Sequence, residues 1–475
     1  MPPKPIGVRL GGCADMGGYT GLNEMPLTIL DAENASAHGA RCLDGGPPGF
    51  YSRKATAVAD KDKWVIYLKG GGHCYNAKTC AAAARTPYGS TARFPRRFGL
   101  DGILSTDAEV NPLFGSWNHV LLWYCDGAVW LGARKTPLHT YDSDGQPLLL
   151  YFRGRKVLQH LLDHLMNHRG LSTASEVLFS GDCAGGTAVH HMLDEMADRL
   201  LPSAKVRAAV DSSYFIYLED PVTHQEIFHT PESFPVQQPL VLRGECERAR
   251  PLTPTRKEAF ADWECGFGGP LHYPLRRTPI FVVQSMVDSC MLDNQWHGLN
   301  GSMVAARGGC LDRNLQLSAC DATEASHVAA LQRKMLAHFE ASGKLGPGLN
   351  GGFLHTCLGH GDGLRKNDAF TGVRIKGVSV RDALSIWWAD EVGNTSHWYR
   401  PCSMLDRPPW QCNPSCAAWK SAEAQSLQTA TAGSAVISTG LQQCSSYVGH
   451  AALIIFAVWQ LRHGVRSEHP PRCVL

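Results

Sequence analysis

Short apolar runs that stop abruptly on glycine or polar residues recur along the chain. Trp64-Val65-Ile66-Tyr67-Leu68 halts at Lys69-Gly70-Gly71-Gly72, Val120-Leu121-Leu122-Trp123-Tyr124 at Cys125-Asp126-Gly127, and Glu176-Val177-Leu178-Phe179 at Ser180-Gly181. Val206 to Val210 ends on Asp211-Ser212-Ser213, Pro279 to Val287 ends on Asp288, and Gly351-Gly352-Phe353-Leu354 runs into a loop that reaches His360. Apolar runs of this length, bounded by turn residues, predict buried strands. Between them the spacing becomes helical, from Arg155 through Leu165, from Ala188 through Met196 and from Val328 to Phe339. Strand, helix, strand, helix is the order that builds an α/β chain, with a mostly parallel sheet and helices on both faces. Met25 to Lys54 reads as turn-rich, around Gly45-Gly46-Pro47-Pro48-Gly49.

The junction Phe179-Ser180-Gly181-Asp182-Cys183-Ala184-Gly185-Gly186-Thr187 separates a strand from a helix with almost no side-chain bulk. A residue at the apex of so sharp a turn is forced into a cramped backbone conformation, so its neighbours two before and two after must be nearly side-chain-free. Gly181 and Gly185 meet that need, which predicts the strand-turn-helix elbow of an α/β-hydrolase with Cys183 at the apex. The same junction would also suit a plain packing point around a small buried cysteine. A thiol at this place would sit at a helix N-terminus, where negative charge is favoured. Asp182 beside it would oppose a second negative charge if its side chain points inward.

Two further stretches fit an acyl-transfer site. Lys69-Gly70-Gly71-Gly72-His73 follows a strand, and glycine-rich loops leave backbone N–H groups bare to bind an oxyanion. A phosphate-cradling loop is the competing use, but the G-x-x-x-x-G-K spacing is absent. Cys183, Asp288 and His360 then occur in the nucleophile, acid, histidine order of α/β-hydrolases. An aspartate or histidine alone at a strand end is commonly structural, so the ordering carries this expectation.

Composition narrows the setting. The 475 residues, 44% hydrophobic and 19% charged, suffice for a large core, and a net charge of +2 without a basic run argues against nucleic acid as a partner. Seventeen cysteines with no paired C-x-x-C pattern predict disulfides in the secretory pathway, with Cys183 as the thiol left over by the odd count. Sequons at Asn34, Asn300 and Asn394 agree with that compartment. Met1-Pro2-Pro3-Lys4-Pro5 does not open a signal peptide. The run from Tyr447 to Leu461, followed by Arg462, His463 and Arg466, reads as a C-terminal membrane anchor or, being shorter than the ~20 residues of a full span, as an amphipathic or buried helix. The expected organisation is an N-terminal segment 1–24, a domain 25–417, a flexible linker 418–444 and the apolar segment 445–475.

Several phrases carry a resemblance. They are Met25-Pro26-Leu27-Thr28, Cys42-Leu43-Asp44-Gly45-Gly46-Pro47-Pro48-Gly49, Gly70-Gly71-Gly72 with Cys74 and Asn76, Asn111-Pro112 and Trp117-Asn118. Tyr124-Cys125-Asp126-Gly127-Ala128, Tyr151-Phe152-Arg153-Gly154, the elbow, Thr356-Cys357 with His360, and Cys412-Asn413-Pro414-Ser415-Cys416 continue the series. In this order, from Met25 to Ala417, the chain resembles the pectin acetylesterase family, which includes the Notum carboxylesterases. The resemblance implies an α/β-hydrolase-like fold, secretion to the exterior or cell wall, several disulfides, no metal or cofactor, and hydrolysis of carboxylic esters by a monomer. The implied substrates are acetylated wall polysaccharides or a fatty acyl group on a protein. Position by position, the family's nucleophile falls on Cys183, its acid on Asp288, its histidine on His360, and its oxyanion donors on Gly71, Gly72 and Ala184. The departures are cysteine in place of serine, Ser289-Cys290-Met291 after the acid, and Gly72-His73 where aromatic residues are usual. Two other readings stand beside an active esterase. One is an inactive homologue with a glycan-binding, acyl-binding or structural role; the other is a dienelactone-hydrolase-like enzyme, whose G-x-C-x-G-G pattern matches Gly181 to Gly186.

Overall fold

Why two distant glycine-bearing loops meet is answered by the strand order. The structure, a computed structural model, describes residues 23–216, 230–238, 265, 276–292, 320, 322–343, 349–393, 397–400 and 413–416. Its strands are β1 (Met25–Ile29), β2 (Gly49–Arg53), β3 (Lys63–Leu68), β4 (Arg97–Phe98), β5 (Asn118–Leu122), β6 (Leu138–Tyr141), β7 (Pro147–Leu150), β8 (Glu176–Asp182), β9 (Lys205–Asp211), β10 (Ile280–Ser285), β11 (Gly351–His355), β12 (Arg374–Ile375), β13 (Val378–Ser379) and β14 (Trp398–Tyr399). Ten of them form one sheet, ordered β14-β11-β10-β9-β8-β3-β5-β2-β1-β4. Pairings from β14 to β5 are parallel, and those joining β5, β2, β1 and β4 are antiparallel.

From β3 the chain moves outward to β5, then crosses back over β3 to β8 and continues the other way through β9, β10 and β11. The direction of winding therefore reverses between β3 and β8. The loops leaving the C-terminal ends of these two strands diverge there and open a crevice, the usual place for a ligand in an open parallel sheet. The loop after β3 begins at Lys69, and the turn after β8 holds Cys183. The expected parallel α/β architecture is present. The helix predicted from Arg155 through Leu165 spans Gly154–His168, and that from Val328 to Phe339 spans Ala322–Gly343.

The Met25–Lys54 region differs from its turn-rich reading. It contains β1, a short helix Ala32–Ala37 and β2. The strands here have five residues each, too few to leave a clear alternation in sequence. Pairing supplies what the local pattern lacks, because β2 lies against β5 with Phe50 opposite Leu122 and Tyr51 opposite Leu121. Phe50 and Tyr51 are buried, and Tyr51 packs on Trp123, which also meets Phe94 and Phe98 edge-on or tilted.

A buried histidine joins the antiparallel edge to the parallel core. His119 of β5 donates from Nε2 to the Phe114 carbonyl at 2.7 Å and accepts at Nδ1 from Arg53 Nε of β2 at 3.1 Å. Burial and the Arg53 charge lower its pKa to about 3. The unfolded chain takes up this proton near pH 6.5 and the folded chain does not, so stability is lost as pH falls below that value. Between about pH 6 and pH 4 the parent is expected to lose about 1.4 kcal/mol per pH unit more than His119→Gln, read from urea midpoints at each pH.

Disulfides fasten the loops around the sheet. Cys42–Cys125 closes a separation of 83 residues, Cys74–Cys80 one of 6 and Cys357–Cys416 one of 59. Cys265, Cys290 and Cys320 are also disulfide-bonded. Cys310 and Cys320 are close enough in sequence for one loop-closing bridge, but Cys310 lies outside the described residues. Among the described cysteines, Cys183 is the free one. Bonded cysteines on this scale belong to an oxidising compartment. The unit holding the sheet runs from Met1 to Cys416. The sequons at Asn300 and Asn394, the expected linker 418–444 and the apolar segment 445–475 lie outside the described residues, whereas Asn34 is exposed. Among the described residues no helix is long and apolar enough to cross a membrane.

Candidate active site

Cys183 begins the helix Cys183–Ala197 directly after β8, with φ of +50°. A non-glycine residue in the left-handed region is strained, and the surroundings must impose it. Here they do so by close approach. A Cβ at Gly181 would lie 2.8 Å from both the Leu68 carbonyl oxygen and the Gly185 carbonyl carbon, and one at Gly185 would collide with the Leu68 carbonyl. Only glycine lets the elbow press against the end of β3, as the sequence led one to expect. The Cys183 side chain is 3% exposed.

The loop after β3 is held by its carbonyls. Trp130 Nε1 donates to the Lys69 carbonyl at 3.1 Å, and the Tyr124 hydroxyl donates to the Gly72 carbonyl at 2.8 Å. A strained turn makes this reach attainable: Val129 and Trp130 have φ of +50° and +66°, and the Val129 amide donates to the Tyr124 hydroxyl oxygen at 2.9 Å. A Cβ at Gly71 would run into the Tyr124 and Tyr88 rings. With these carbonyls engaged, the amides of Gly71, Gly72 and Ala184 have no acceptor among the described residues. Bare amides on a fixed backbone are what an oxyanion requires.

Asp288 and His360 come from loops beyond β10 and β11, two strands that pair in register from Phe281 with Gly351 to Ser285 with His355. The pairing continues past both strands as a bridge between Asp288 and Gly359. His360 Nδ1 is 2.9 Å from each Asp288 carboxylate oxygen. The carboxylate is fully buried, and it accepts at Oδ1 from the Cys290 and Met291 amides, each at 3.0 Å, and at Oδ2 from Gln284 Nε2 at 3.2 Å. Burial works against a charged imidazole, yet the charges of Asp288 and Cys183 and hydrogen bonds to both raise the His360 pKa well above 6.5. Nε2 of His360 is buried and makes no hydrogen bond of ordinary geometry. Asp288 holds His360, His360 faces Cys183, Ala184 follows Cys183 in the chain, and Gly71 and Gly72 lie on the loop that leaves β3, against whose end the elbow packs.

A second set of polar groups underlies the site. Asp182 does not turn toward the sulfur; its carboxylate accepts from the Gly70 amide at 3.0 Å. Burial would raise its pKa, but the Lys69 and Arg365 charges and the Gly70 amide hold it below the usual carboxylate value. Asp211, at the end of β9, accepts from the Leu364 amide at 3.0 Å and from the Ser212 hydroxyl at 2.9 Å. Ser212 Oγ in turn accepts from the Gly361 amide at 2.8 Å. These bonds fix the loop that carries His360, and burial raises the Asp211 pKa to about 7.

The sequence profile of pectinacetylesterases matches residues 21–417. This chain belongs to the pectinacetylesterase family. Among its relatives, pectin acetylesterase 5 of Arabidopsis thaliana is 26% identical over 388 residues, covering 80% of this chain and 83% of the relative. The palmitoleoyl-protein carboxylesterase NOTUM of Homo sapiens is 29% identical over 393 residues, covering 79% and 70%. A solved structure of the Wnt deacylase Notum from Drosophila superposes with a TM-score of 0.57 at 25% identity, covering 77% of this chain and 93% of that one. This chain is accordingly a carboxylic ester hydrolase with an α/β-hydrolase-like fold.

Ligand atoms of Asp288, Cys290 and His360 lie within 4.8 Å of one another, a spacing that could hold a metal. The donor set does not suit one, because Cys290 is in a disulfide and offers no thiolate. Several supporting residues were invisible in sequence. Gln284 had a faint signal, a polar residue inside the apolar run that leads to Asp288. Arg365 had none, since Asp182, the carboxylate its charge faces, lies on another loop.

Proposed function

We propose that this esterase works through a Cys183, His360 and Asp288 triad on acyl esters, with acetylated, pectin-like polysaccharide in an oxidising extracellular or wall setting as its substrate. The observation that carries the reading is His360, bonded through Nδ1 to Asp288 and facing a strained Cys183 at a helix N-terminus. The Cys183 thiolate adds to the ester carbonyl, and the resulting oxyanion takes hydrogen bonds from the Gly71, Gly72 and Ala184 amides. Collapse expels the alcohol, which takes a proton from His360 Nε2, and leaves a thioester on Cys183. His360 then removes a proton from water, the hydroxide adds to the thioester, and the carboxylic acid leaves as the thiolate is restored. Asp288 holds the ring in the tautomer with the proton on Nδ1 and stabilises the imidazolium. The acetyl preference is drawn from the plant relatives, which are named pectin acetylesterases and match over most of their length.

A p-nitrophenyl ester series from acetyl to dodecanoyl, run beside acetate release from acetylated pectin, tests the proposal. The highest kcat/KM is expected for the acetyl ester, with acetate released from pectin. A maximum at long chains transfers the assignment to fatty acyl substrates. No turnover of any ester by the parent, with turnover by Cys183→Ser, identifies an inactive homologue instead.

A further inference from the structure

We infer that Asp182 is a positioning residue that ties the elbow, the oxyanion loop and the histidine loop to one another. This rests on the catalytic reading above and deepens it. Asp182 is the residue immediately before Cys183, so its backbone moves with the sulfur. Its Oδ1 accepts the Gly70 amide at 3.0 Å, which fixes the peptide that precedes the Gly71 and Gly72 donors. Its Oδ2 lies 3.9 Å from Lys69 Nζ, at the start of the oxyanion loop, and 3.9 Å from Arg365 Nη1, beyond the histidine. Arg365 Nη2 donates to the His360 carbonyl at 3.2 Å and to Asp362 at 3.4 Å.

Asp182, Lys69 and Arg365 are 3%, 3% and 4% exposed. Buried charges at this depth interact strongly with one another, so displacement of any one pulls on the other two. The loops concerned come from three different strands, β3, β8 and β11. A carboxylate at position 182 can do so because the Gly70 amide, Lys69 and Arg365 converge on it from both flanking loops. A Cβ on Gly361 would stand 3.2 Å from Oδ2, so the histidine loop is packed directly on this carboxylate.

The test compares two reactions of the same sulfur. Ester hydrolysis needs the oxyanion amides in place, whereas alkylation by iodoacetamide forms no oxyanion. In Asp182→Ala, kcat for p-nitrophenyl acetate is expected to fall about 100-fold with KM little changed, while Cys183 alkylation stays within about threefold of the parent. Asp182→Asn, which keeps an acceptor for the Gly70 amide, is expected to recover about tenfold of that loss. Arg365→Lys, which keeps the charge, provides a second variant should Asp182→Ala not fold, with kcat lowered about tenfold and alkylation unchanged. The inference is overturned if hydrolysis survives in Asp182→Ala, if hydrolysis and alkylation fall in step, or if Asp182→Asn is as slow as Asp182→Ala. A parent that hydrolyses no ester overturns the catalytic reading and this inference together, whereas an active parent with an equally active Asp182→Ala overturns this inference alone.

Discussion

Replacing Cys183 with alanine is expected to lower kcat for p-nitrophenyl acetate by about 10^4-fold or more, because no thioester can form and the remaining groups can only assist water. The fold should tolerate the change. Alanine is smaller than cysteine, and the elbow is set by the contact of Gly181 and Gly185 with the end of β3. The sulfur makes no disulfide. The expected cost is therefore catalytic, and a urea midpoint close to that of the parent would separate it from unfolding. Turnover by Cys183→Ala at the parental rate would remove Cys183 from the reaction.

The second large effect is expected from Asp288→Asn. The side chain keeps its shape, and Oδ1 can still accept the Cys290 and Met291 amides now found at 3.0 Å. What changes is the group facing His360. An amide NH2 must then meet Nδ1, which becomes the acceptor and moves the ring proton to Nε2, so the nitrogen facing Cys183 loses its lone pair. In a triad this exchange lowers kcat by about 10^4-fold. Removing the carboxylate also removes the largest charge that raises the His360 pKa against burial. In the parent, the raised pKa contributes stability that is fully present below the unfolded value near pH 6.5 and is lost as pH rises through the folded value. In Asp288→Asn that decline above about pH 6.5 is expected to disappear. Urea unfolding across pH, alongside kcat, checks both parts; a variant with parental kcat and an unchanged pH slope would exclude the role given to Asp288.

The catalytic candidates were legible because each sits where a strand stops. An elbow needs glycines on both sides of its apex for reasons that act within five residues, so Gly181-Asp182-Cys183-Ala184-Gly185 declared itself. Asp288 and His360 follow apolar strands and occur in hydrolase order. The edge formed by β1 and β2 was not legible, since each strand gains its place by pairing with residues far along the chain, such as Ser52 with Val120. The direction of the Asp182 side chain was also beyond reach. From its position alone it threatened the thiolate with a second negative charge, and only the converging Gly70, Lys69 and Arg365 groups turn it away.

Local backbone sterics and the period of apolar residues act over a few residues, and by these the sequence alone determined an α/β chain, an elbow at Cys183, a glycine-rich loop after β3 and the order of acid and histidine. Contacts between residues far apart in the chain left no such local trace. The tertiary structure alone decided that winding reverses between β3 and β8, that Trp130 and Tyr124 hold the carbonyls of the glycine-rich loop after β3, and that Asp211 and Arg365 secure the loop of His360. Those arrangements depend on hydrogen bonds and charges that acquire partners only once separate strands have packed, because a buried polar group must be satisfied by whichever element reaches it.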